Sequence, residues 1–199
     1  ATYGVPLGPF GNLGVPSIGN TWYVDVTNGI AGRGTAAQDP SKAEKTLQTA
    51  IDNAAAGDLI CVAPGSYDEA ITIKKSLTIL GLGGRGGPAI APSATNGVAI
   101  TIDAADAKLT NVTLINIGGE GKGTGGGLLL HASAFDIRQF RAHGCKFEGG
   151  AYAVTIKGTG SGNSVGDTIF EDCEFAWSTD GVILDIGAGG DVVTETLFR

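Results

Sequence analysis

Residues 46–69 read TLQTAIDNAAAGDLICVAPGSYDE, and the hydrophobic period of this stretch changes at Gly57. Before Gly57, Leu47 and Ile51 lie about one helical turn apart, and glycine is common just past the end of a helix. The pattern therefore predicts a helix over about residues 46–56. After Gly57, apolar and polar residues alternate, which is typical of β-strands. A short helix followed by strands is the starting point of the predicted fold.

The alternating pattern recurs along the chain in two families of short segments. The first family comprises 76–81, 111–116, 144–149 and 172–177, and the second comprises 70–74, 98–103, 128–131, 153–157 and 182–186. Successive members lie 26 to 35 residues apart. A repeat of this length without a helix in each unit favours stacked β-coils over leucine-rich, ankyrin and propeller arrays. The sequence predicts an all-β, right-handed, single-stranded parallel β-helix.

The two ends of such a solenoid pose a physical problem. An open end exposes apolar core and unpaired strand N–H and C=O groups, which invites aggregation. The predicted amphipathic helix over 46–56 would cover the N-terminal end. At the other end, residues 194–199 stop within a coil without a cap. We therefore expect the chain to continue beyond residue 199, or another subunit to cover this end.

Composition supports a folded, turn-rich chain. Glycine accounts for 34 of the 199 residues, and 42% of residues are hydrophobic. The glycines have no three-residue period, which excludes collagen, and the apolar content excludes a disordered chain. The stretches 81–97, which includes the glycine-rich 83–87, and 118–127 are expected to be variable loops that project without disturbing the stack. Neither has the spacing of a phosphate-binding loop, so nucleotide binding is not expected.

Charge and cysteine content exclude several other classes of function. The formal net charge is −7, which disfavours nucleic acid as a partner. No apolar run is long enough for membrane insertion, and no secretory signal is visible. The three cysteines, Cys61, Cys145 and Cys173, each fall in an apolar strand pattern. They are expected to be small buried hydrophobic residues, and no metal or cofactor is expected.

Residues 1–21 form a separate segment in front of the predicted β-helix domain of residues 22–199. The segment is rich in proline and glycine, but a free linker would be polar, whereas apolar residues are interleaved here. These apolar residues and the first aromatic residue after them are the candidate attachment or interface residues: Val5, Leu7, Phe10, Leu13, Val15, Ile18 and Trp22. The alternative is an arm that folds back on its own solenoid.

The stretch 46–69 resembles the opening of pectate-lyase-like β-helix proteins, whose motif is TIQ.AID.A..GD.I.V.PG.Y.E, and residues 71–81 continue the resemblance. It implies a capping helix and a first coil. The segment 22–25 with Asn28 and Gly29 looks like the entry strand of phage-encoded β-helix proteins. The apolar arm before it is similar to virion-attachment segments. The superfamily includes polysaccharide lyases, pectin esterases and phage tailspikes, so the resemblance implies a fold more than a function.

A resemblance to pectate lyases would imply acidic Ca²⁺ ligands and an arginine base on successive coils of one sheet. The candidates are Asp103, Asp106, Asp136, Asp167, Asp172, Asp180, Asp185, Arg138 and Arg141. None falls in a matching family motif, so turns and outer strand faces are their expected places.

Two further sets of side chains are candidate catalytic groups. A glycosidase needs two neighbouring carboxyl groups, and Glu148 beside Glu171 or Glu174 is the candidate pair. His131 and His143 lie outside any Ser/His/Asp arrangement, and His143 is expected in a turn. We therefore assign no catalytic, cofactor-binding or metal-binding residue from the sequence.

The leading functional hypothesis is a non-enzymatic structural component of a bacteriophage-like virion, such as a capsid decoration, a spike or a tailspike-like fibre. It would be made in the host cytoplasm and carried on the particle surface. Its expected partners are other virion proteins, further copies of itself in a trimer, and a host surface glycan. The alternative hypothesis is a polysaccharide-binding or polysaccharide-degrading β-helix protein.

Overall fold

The computed structural model describes residues 19–85, 87–106, 108–158, 162–185 and 192–199. The chain begins with β1 (Thr21–Val24), two 3₁₀ helices (Gly34–Gln38 and Pro40–Lys42) and α1 (Leu47–Asn53). The strands that follow are β2 (Leu59–Val62), β3 (Ser66–Tyr67), β4 (Ile71–Ile73), β5 (Thr78–Gly81), β6 (Ala89–Ile90), β7 (Ile100–Asp103), β8 (Leu109–Thr110), β9 (Thr113–Ile115), β10 (Gly118–Gly121), β11 (Gly126–Ala132), β12 (Ile137–Arg138), β13 (Arg141–His143), β14 (Lys146–Gly149), β15 (Tyr152–Gly158), β16 (Ser164–Glu171), β17 (Glu174–Ala176), β18 (Asp180–Asp185) and β19 (Val192–Phe198).

These strands form three sheets that run along the solenoid. The first sheet contains β1, β2, β5, β9, β13, β16 and β19, with the short β8 and β12 joined through β16. The second contains β3, β6, β10, β14 and β17, and the third contains β4, β7, β11, β15 and β18. The strands pair in parallel with the equivalent strands of the next coil. The predicted right-handed parallel β-helix is confirmed.

The coils settle to a constant length in the second half of the chain. On the first sheet Thr113, Arg141, Ile169 and Leu197 lie in register at intervals of 28 residues. The second predicted strand family corresponds to the third sheet. Within it, Ile100 rather than Val98 is in register with Leu128.

The first predicted family mixes two sheets. Segments 76–81 and 111–116 belong to the first sheet, whereas 144–149 and 172–177 contain strands β14 and β17 of the second. The prediction of one family was wrong because strands of both sheets carry the same alternation of apolar and polar residues. Alternation reports which side chains point inward, but not which sheet they belong to.

Corner residues explain part of the composition. One corner recurs at Asn111, Gln139 and Asp167, each with φ between 53° and 57°. Another recurs at Asn116, Gly144 and Asp172, with φ between 52° and 61°. These left-handed conformations are tolerated best by glycine, asparagine and aspartate, which are frequent in this chain for that reason.

The glycine-rich stretch 118–127 is not a projecting loop, and that prediction was wrong. It contains β10 and the start of β11, where the second and third sheets meet at a sharp corner. A Cβ atom at Gly121 would lie only 2.2 Å from the carbonyl carbon of Gly126. Glycine is needed here because two backbone segments approach each other too closely for a side chain.

The core is a set of inward columns with one side chain from each coil. The first sheet contributes Trp22, Ile60, Ile79, Leu114, Ala142, Phe170 and Phe198. The third sheet contributes Ile71, Ile100, Leu128, Val154 and Val182. Full burial of each large apolar side chain stabilises the fold by about 1.5–3 kcal/mol. The columns therefore supply the main cohesion between coils.

Helix α1 covers the first coil, as predicted, but it is shorter than the predicted 46–56. It ends at Asn53 because Ala54 has an extended backbone. Its buried face consists of Leu47, Ala50 and Ile51. No helix in the described part of the chain is long and apolar enough to cross a membrane.

The motif around α1 consists of structural residues. The Glu69 carboxylate accepts hydrogen bonds from the backbone N–H groups of Leu47 and Gln48, at 2.7 and 2.9 Å, and so caps the helix. The buried Asp58 carboxylate accepts from Asn20 N, from Ala55 N and from the indole Nε1 of Trp22. These contacts tie the entry strand, the helix and the first coil together.

The candidate attachment residues Val5, Leu7, Phe10, Leu13, Val15 and Ile18 lie outside the described residues. Trp22 is described, and its side chain is 3% exposed within the core. Residues 19–21 already belong to the first coil, since Gly19 N donates to Gly57 O and Thr21 pairs with Leu59. The position of Trp22 therefore indicates packing within the solenoid.

The three cysteines are free thiols, as expected for small apolar residues. Cys61 and Cys145 are buried, and Cys173 is half-buried. Burial raises the pKa of Cys61 to about 11, so this thiol is un-ionised at neutral pH.

Candidate functional site

A shallow groove crosses the outer face of the first sheet over its last three strands. Its volume is about 590 Å³, which is within the usual range for small-ligand sites. It is lined by Gln139, Arg141, Asp167, Ile169, Thr196 and Leu197. Three of these residues, Arg141, Ile169 and Leu197, form one outward column in register. The stacking of coils therefore creates the groove.

The lining combines one cation, one carboxylate, neutral polar groups and an apolar floor. Arg141 is exposed, and no carboxylate in the described part of the chain lies within ion-pair distance of its guanidinium. Gln139 and Asp167 occupy the left-handed corner positions of adjacent coils, and both are exposed. The backbone thus presents an amide and a carboxylate beside Arg141. An unpaired guanidinium is suited to bind a carboxylate through two parallel hydrogen bonds.

A second polar group lies beside the groove on the same face. His143 follows Arg141 by two residues, so both side chains point outward from β13. The Nδ1 atom of His143 lies 3.4 Å from Oε2 of Glu171, which is the residue in register on the next coil. Oε1 of Glu171 lies 3.2 Å from Nε of Arg199. The contact is one of proximity and not a hydrogen bond, because Nδ1 of His143 is buried without a hydrogen-bond partner in the described part of the chain.

This position corrects the expectation that His143 lies in a turn. It is the last residue of strand β13, directly before the Gly144 corner. The contact of His143 with Glu171 is a feature that the sequence did not predict. The signal was present in the spacing of 28 residues between the two, which equals the coil length of this half of the chain.

The candidate carboxylates Glu148, Glu171 and Glu174 are arranged differently in the structure from the predicted neighbouring pair. Glu148 is in register with Glu120 and Ala176 on the second sheet, and Glu171 belongs to the first sheet. Nζ of Lys146 lies 2.7 Å from Glu148 and 3.8 Å from Glu174. The hydrogen bond to Glu148, together with the charges of the nearby glutamates, raises the pKa of Lys146. These carboxylates therefore belong to an ion-pair cluster around a lysine.

The candidate calcium ligands are dispersed over the surface. Their ion-pair contacts are Asp103–His131 at 3.6 Å, Asp106–Lys74 at 3.6 Å, Asp136–Arg138 at 3.7 Å, Asp185–Lys157 at 3.5 Å and Asp172–Arg85. Among the described residues, no three His, Cys, Asp or Glu side chains gather as a metal site. Only Arg141 and Asp167 of this set reach the groove.

Asp136 illustrates how these carboxylates are held. Burial favours its protonated form, but hydrogen bonds from the backbone N–H and hydroxyl of Ser164 outweigh it and hold the pKa of Asp136 below its ordinary value. Arg138 also donates to the Ser164 hydroxyl, at 2.6 Å. Arg138 is therefore engaged in a structural network, whereas Arg141 is available to a ligand.

Comparisons with known proteins give little beyond the fold. No family model matches the sequence, and no curated protein matches it. Among solved structures, the chain is similar to an alginate lyase from Paenibacillus sp. str. FPU-7, with 17% sequence identity and a TM-score of 0.40. The match covers 76% of this chain and 63% of the lyase, so the chain spans less than two thirds of that protein. This likeness is too weak to assign an activity.

Proposed function

We propose that this chain is a polysaccharide-binding β-helix protein that takes an acidic glycan into the groove on its first sheet. The observation that carries the proposal is the exposed guanidinium of Arg141, which has no carboxylate partner among the described residues and lines a groove of about 590 Å³. A glycan carboxylate supplies the partner that the guanidinium lacks.

The rest of the lining suits a sugar ring. A pyranose has polar edges, which hydrogen-bond to side chains such as Gln139 and Asp167, and an apolar face, which packs on Ile169 and Leu197. Successive coils lie about 4.8 Å apart. A glycan that runs along the solenoid therefore meets equivalent positions on successive coils.

Binding to alginate and to polygalacturonate, with neutral dextran as a comparison, tests this proposal. In titration calorimetry we expect binding to the two acidic polymers and none to dextran. Arg141→Ala should weaken binding at least about tenfold, which corresponds to the loss of one charge-assisted contact, and Arg141→Lys should restore part of it.

The matched control is Lys42→Ala, which removes one exposed cation beside Asp39, far along the chain from the groove. Equal losses in the Lys42 and Arg141 variants would contradict a specific site, because they would show that net charge alone sets the affinity. Binding of dextran as strong as that of alginate would contradict the acidic ligand.

Cleavage of the bound glycan is a separate measurement. His143 and Glu171 lie beside the groove, and imidazole and carboxylate groups are of the kind that act as general acids and bases. An assay for new chain ends after long incubation with each polymer separates binding from degradation. Chain ends that appear with the unmodified protein and disappear with His143→Ala would make the protein an enzyme, while leaving the binding proposal intact.

A structural role in a phage-like virion is a second proposal. It is favoured by the apolar, glycine- and proline-rich sequence of residues 1–21, which is suited to attachment to other virion proteins, with a trimer as the expected assembly. Deletion of residues 1–18 should abolish incorporation into the particle and leave the solenoid folded by circular dichroism. Unchanged incorporation would contradict this role.

A further inference from the structure

The outward column that crosses the groove carries a single charge. It consists of Thr113, Arg141, Ile169 and Leu197, which lie in register on successive coils. Arg141 therefore has a neutral hydroxyl side chain on the coil before it and an apolar side chain on the coil after it. Coils lie about 4.8 Å apart, which is close to the length of one sugar in an extended glycan. A glycan along the solenoid thus meets the guanidinium at one sugar and neutral side chains at the sugars on either side.

The corner column beside the groove includes one carboxylate. It consists of Asn111, Gln139 and Asp167, which are all exposed and share a left-handed backbone conformation. Asp167 lies two residues before Ile169, on the coil that follows Arg141. In the described ranges no cation lies within ion-pair distance of its carboxylate. Asp167 therefore places an unpaired negative charge at the position of the next sugar.

The same coil carries a second acidic side chain on the neighbouring outward column. This residue is Glu171, and its Oε1 atom lies 3.2 Å from Nε of Arg199. That contact neutralises part of its charge, so Asp167 is the stronger negative group beside the groove. The lining thus changes within one coil, from a cation at Arg141 to an apolar surface with a carboxylate at Ile169 and Asp167.

We infer that the groove selects a glycan in which each uronic acid is flanked by sugars without an acid group, an inference that rests on the proposed function of the same groove. The uronate carboxylate pairs with the guanidinium of Arg141. The next sugar packs its apolar face on Ile169 and donates hydroxyl hydrogen bonds to Asp167. A homopolymer of uronic acids would instead place a carboxylate beside Asp167. Like charges repel there, and Ile169 offers that carboxylate no hydrogen bond.

Two oligosaccharides of equal length supply the test. In a hyaluronan hexasaccharide, glucuronate alternates with a neutral N-acetylated sugar, whereas every sugar of hexagalacturonate carries a carboxylate. In titration calorimetry we expect the hyaluronan fragment to bind at least about fivefold more tightly, because hexagalacturonate brings like charges together at Asp167. Added salt should narrow this difference, since exposed charges are screened.

Two variants change the charge next to Arg141. Asp167→Asn should tighten binding of hexagalacturonate about fivefold and weaken binding of the hyaluronan fragment about twofold, since a neutral amide neither repels a carboxylate nor accepts as strongly. Ile169→Arg adds a cation in register with Arg141 and should tighten binding of hexagalacturonate about tenfold. The control Asp180→Asn removes an exposed charge on the third sheet and should leave the preference unchanged. Circular dichroism checks that each variant is folded.

The inference and the proposed function fail in different ways. Equal or tighter binding of hexagalacturonate that is still lost in Arg141→Ala would overturn the selection and leave the acidic-glycan site standing. A preference that Asp167→Asn leaves unchanged, or that Asp180→Asn shifts as strongly, would also overturn the selection alone. No binding of either oligosaccharide, or binding that Arg141→Ala does not weaken, would overturn the proposed function and the inference together.

Discussion

The two ends of a single inward column differ sharply in burial. On the third sheet Ile73, Ile102, Leu130, Ile156 and Leu184 lie in register. Ile73 at the start is 0% exposed, whereas Leu184 at the end is 53% exposed. The residues are equally apolar, so the difference comes from their neighbours. A β-coil buries its inward side chains only when another layer lies on each side of it.

The N-terminal end obtains that layer from side chains close in the sequence. Helix α1 covers the first coil, and the buried carboxylates of Asp58 and Glu44 accept backbone hydrogen bonds from the segments around it. At the other end the acidic side chains lie on the outer face, where they pair with the preceding coil. Acidic residues are thus structural acceptors at one end and surface charges at the other.

Removal of the Asp58 carboxylate should have the largest effect. Asp58→Ala leaves three donors without their acceptor: the buried Trp22 Nε1 and the partly buried backbone N–H groups of Asn20 and Ala55. We expect the free energy of unfolding in urea to fall by about 4 kcal/mol, because hydrogen bonds to a buried charge are costly to lose. Asp180→Ala at the exposed end is the matched control and should change it by less than about 0.5 kcal/mol. Similar values for both variants would contradict the difference between the ends.

A second comparison of the two ends uses an apolar residue, leucine, at each end. Leu47 is buried in the cap and Leu184 is half exposed on the last coil. We expect Leu47→Ala to lower the free energy of unfolding by about 3 kcal/mol and Leu184→Ala to lower it by less than about 1 kcal/mol, since only the first leaves a cavity. Urea unfolding followed by circular dichroism measures both. A larger loss at Leu184 would show that its column is covered in solution.

The helix cap should contribute a smaller amount. Glu69→Ala removes the acceptor of the Leu47 and Gln48 backbone N–H groups. We expect a loss of about 1 kcal/mol in the free energy of unfolding, which is typical of a lost N-terminal cap, and faster hydrogen exchange at these two amides. Glu174→Ala at the other end should leave exchange in α1 unchanged. Unaltered exchange at Leu47 in Glu69→Ala would contradict the capping role.

The smallest predicted effect is on the pH dependence of stability, and it concerns Asp25, the residue that follows β1. Hydrogen bonds from the backbone N–H and side-chain amide of Asn28 lower the pKa of Asp25 below its ordinary value of 3.8. A lowered pKa in the folded state adds stability above the unfolded-state pKa, and this stability is lost as pH falls through the folded-state value. Asp25→Asn should therefore be slightly less stable than the unmodified protein at pH 6, with the difference vanishing in acid. A difference that persists in acid would contradict this linkage.

Much of the fold could be predicted because it depends on local and periodic features. The change of period at Gly57 located the cap, and the recurring strand segments predicted stacked coils, both of which the structure confirms. The assignment of segments to sheets failed at 144–149 and 172–177. Their inward pattern matches that of the first sheet, and only strand pairing distinguishes the two.

The candidate site could be predicted only in part. Arg141 and Asp167 are among the calcium-site candidates that the sequence offers, but the sequence does not predict that they line one groove with Thr196. The contact between His143 and Glu171 depends on the exact coil length. An error of one residue in the assumed pairing of two strands would place a side chain on the opposite face of the sheet.

The sequence by itself determined the class of fold, the capping helix and the glycine-rich corners, because hydrophobic period and backbone preference act over a few neighbouring residues. The tertiary structure alone decided which residue of each coil pairs with which residue of the next coil. That register places Arg141 beside an apolar floor, with no carboxylate partner among the described residues, and pairs Lys157 with Asp185. Contacts between residues 28 positions apart arise from the stacking of coils about 4.8 Å apart, and local preference carries no record of that stacking.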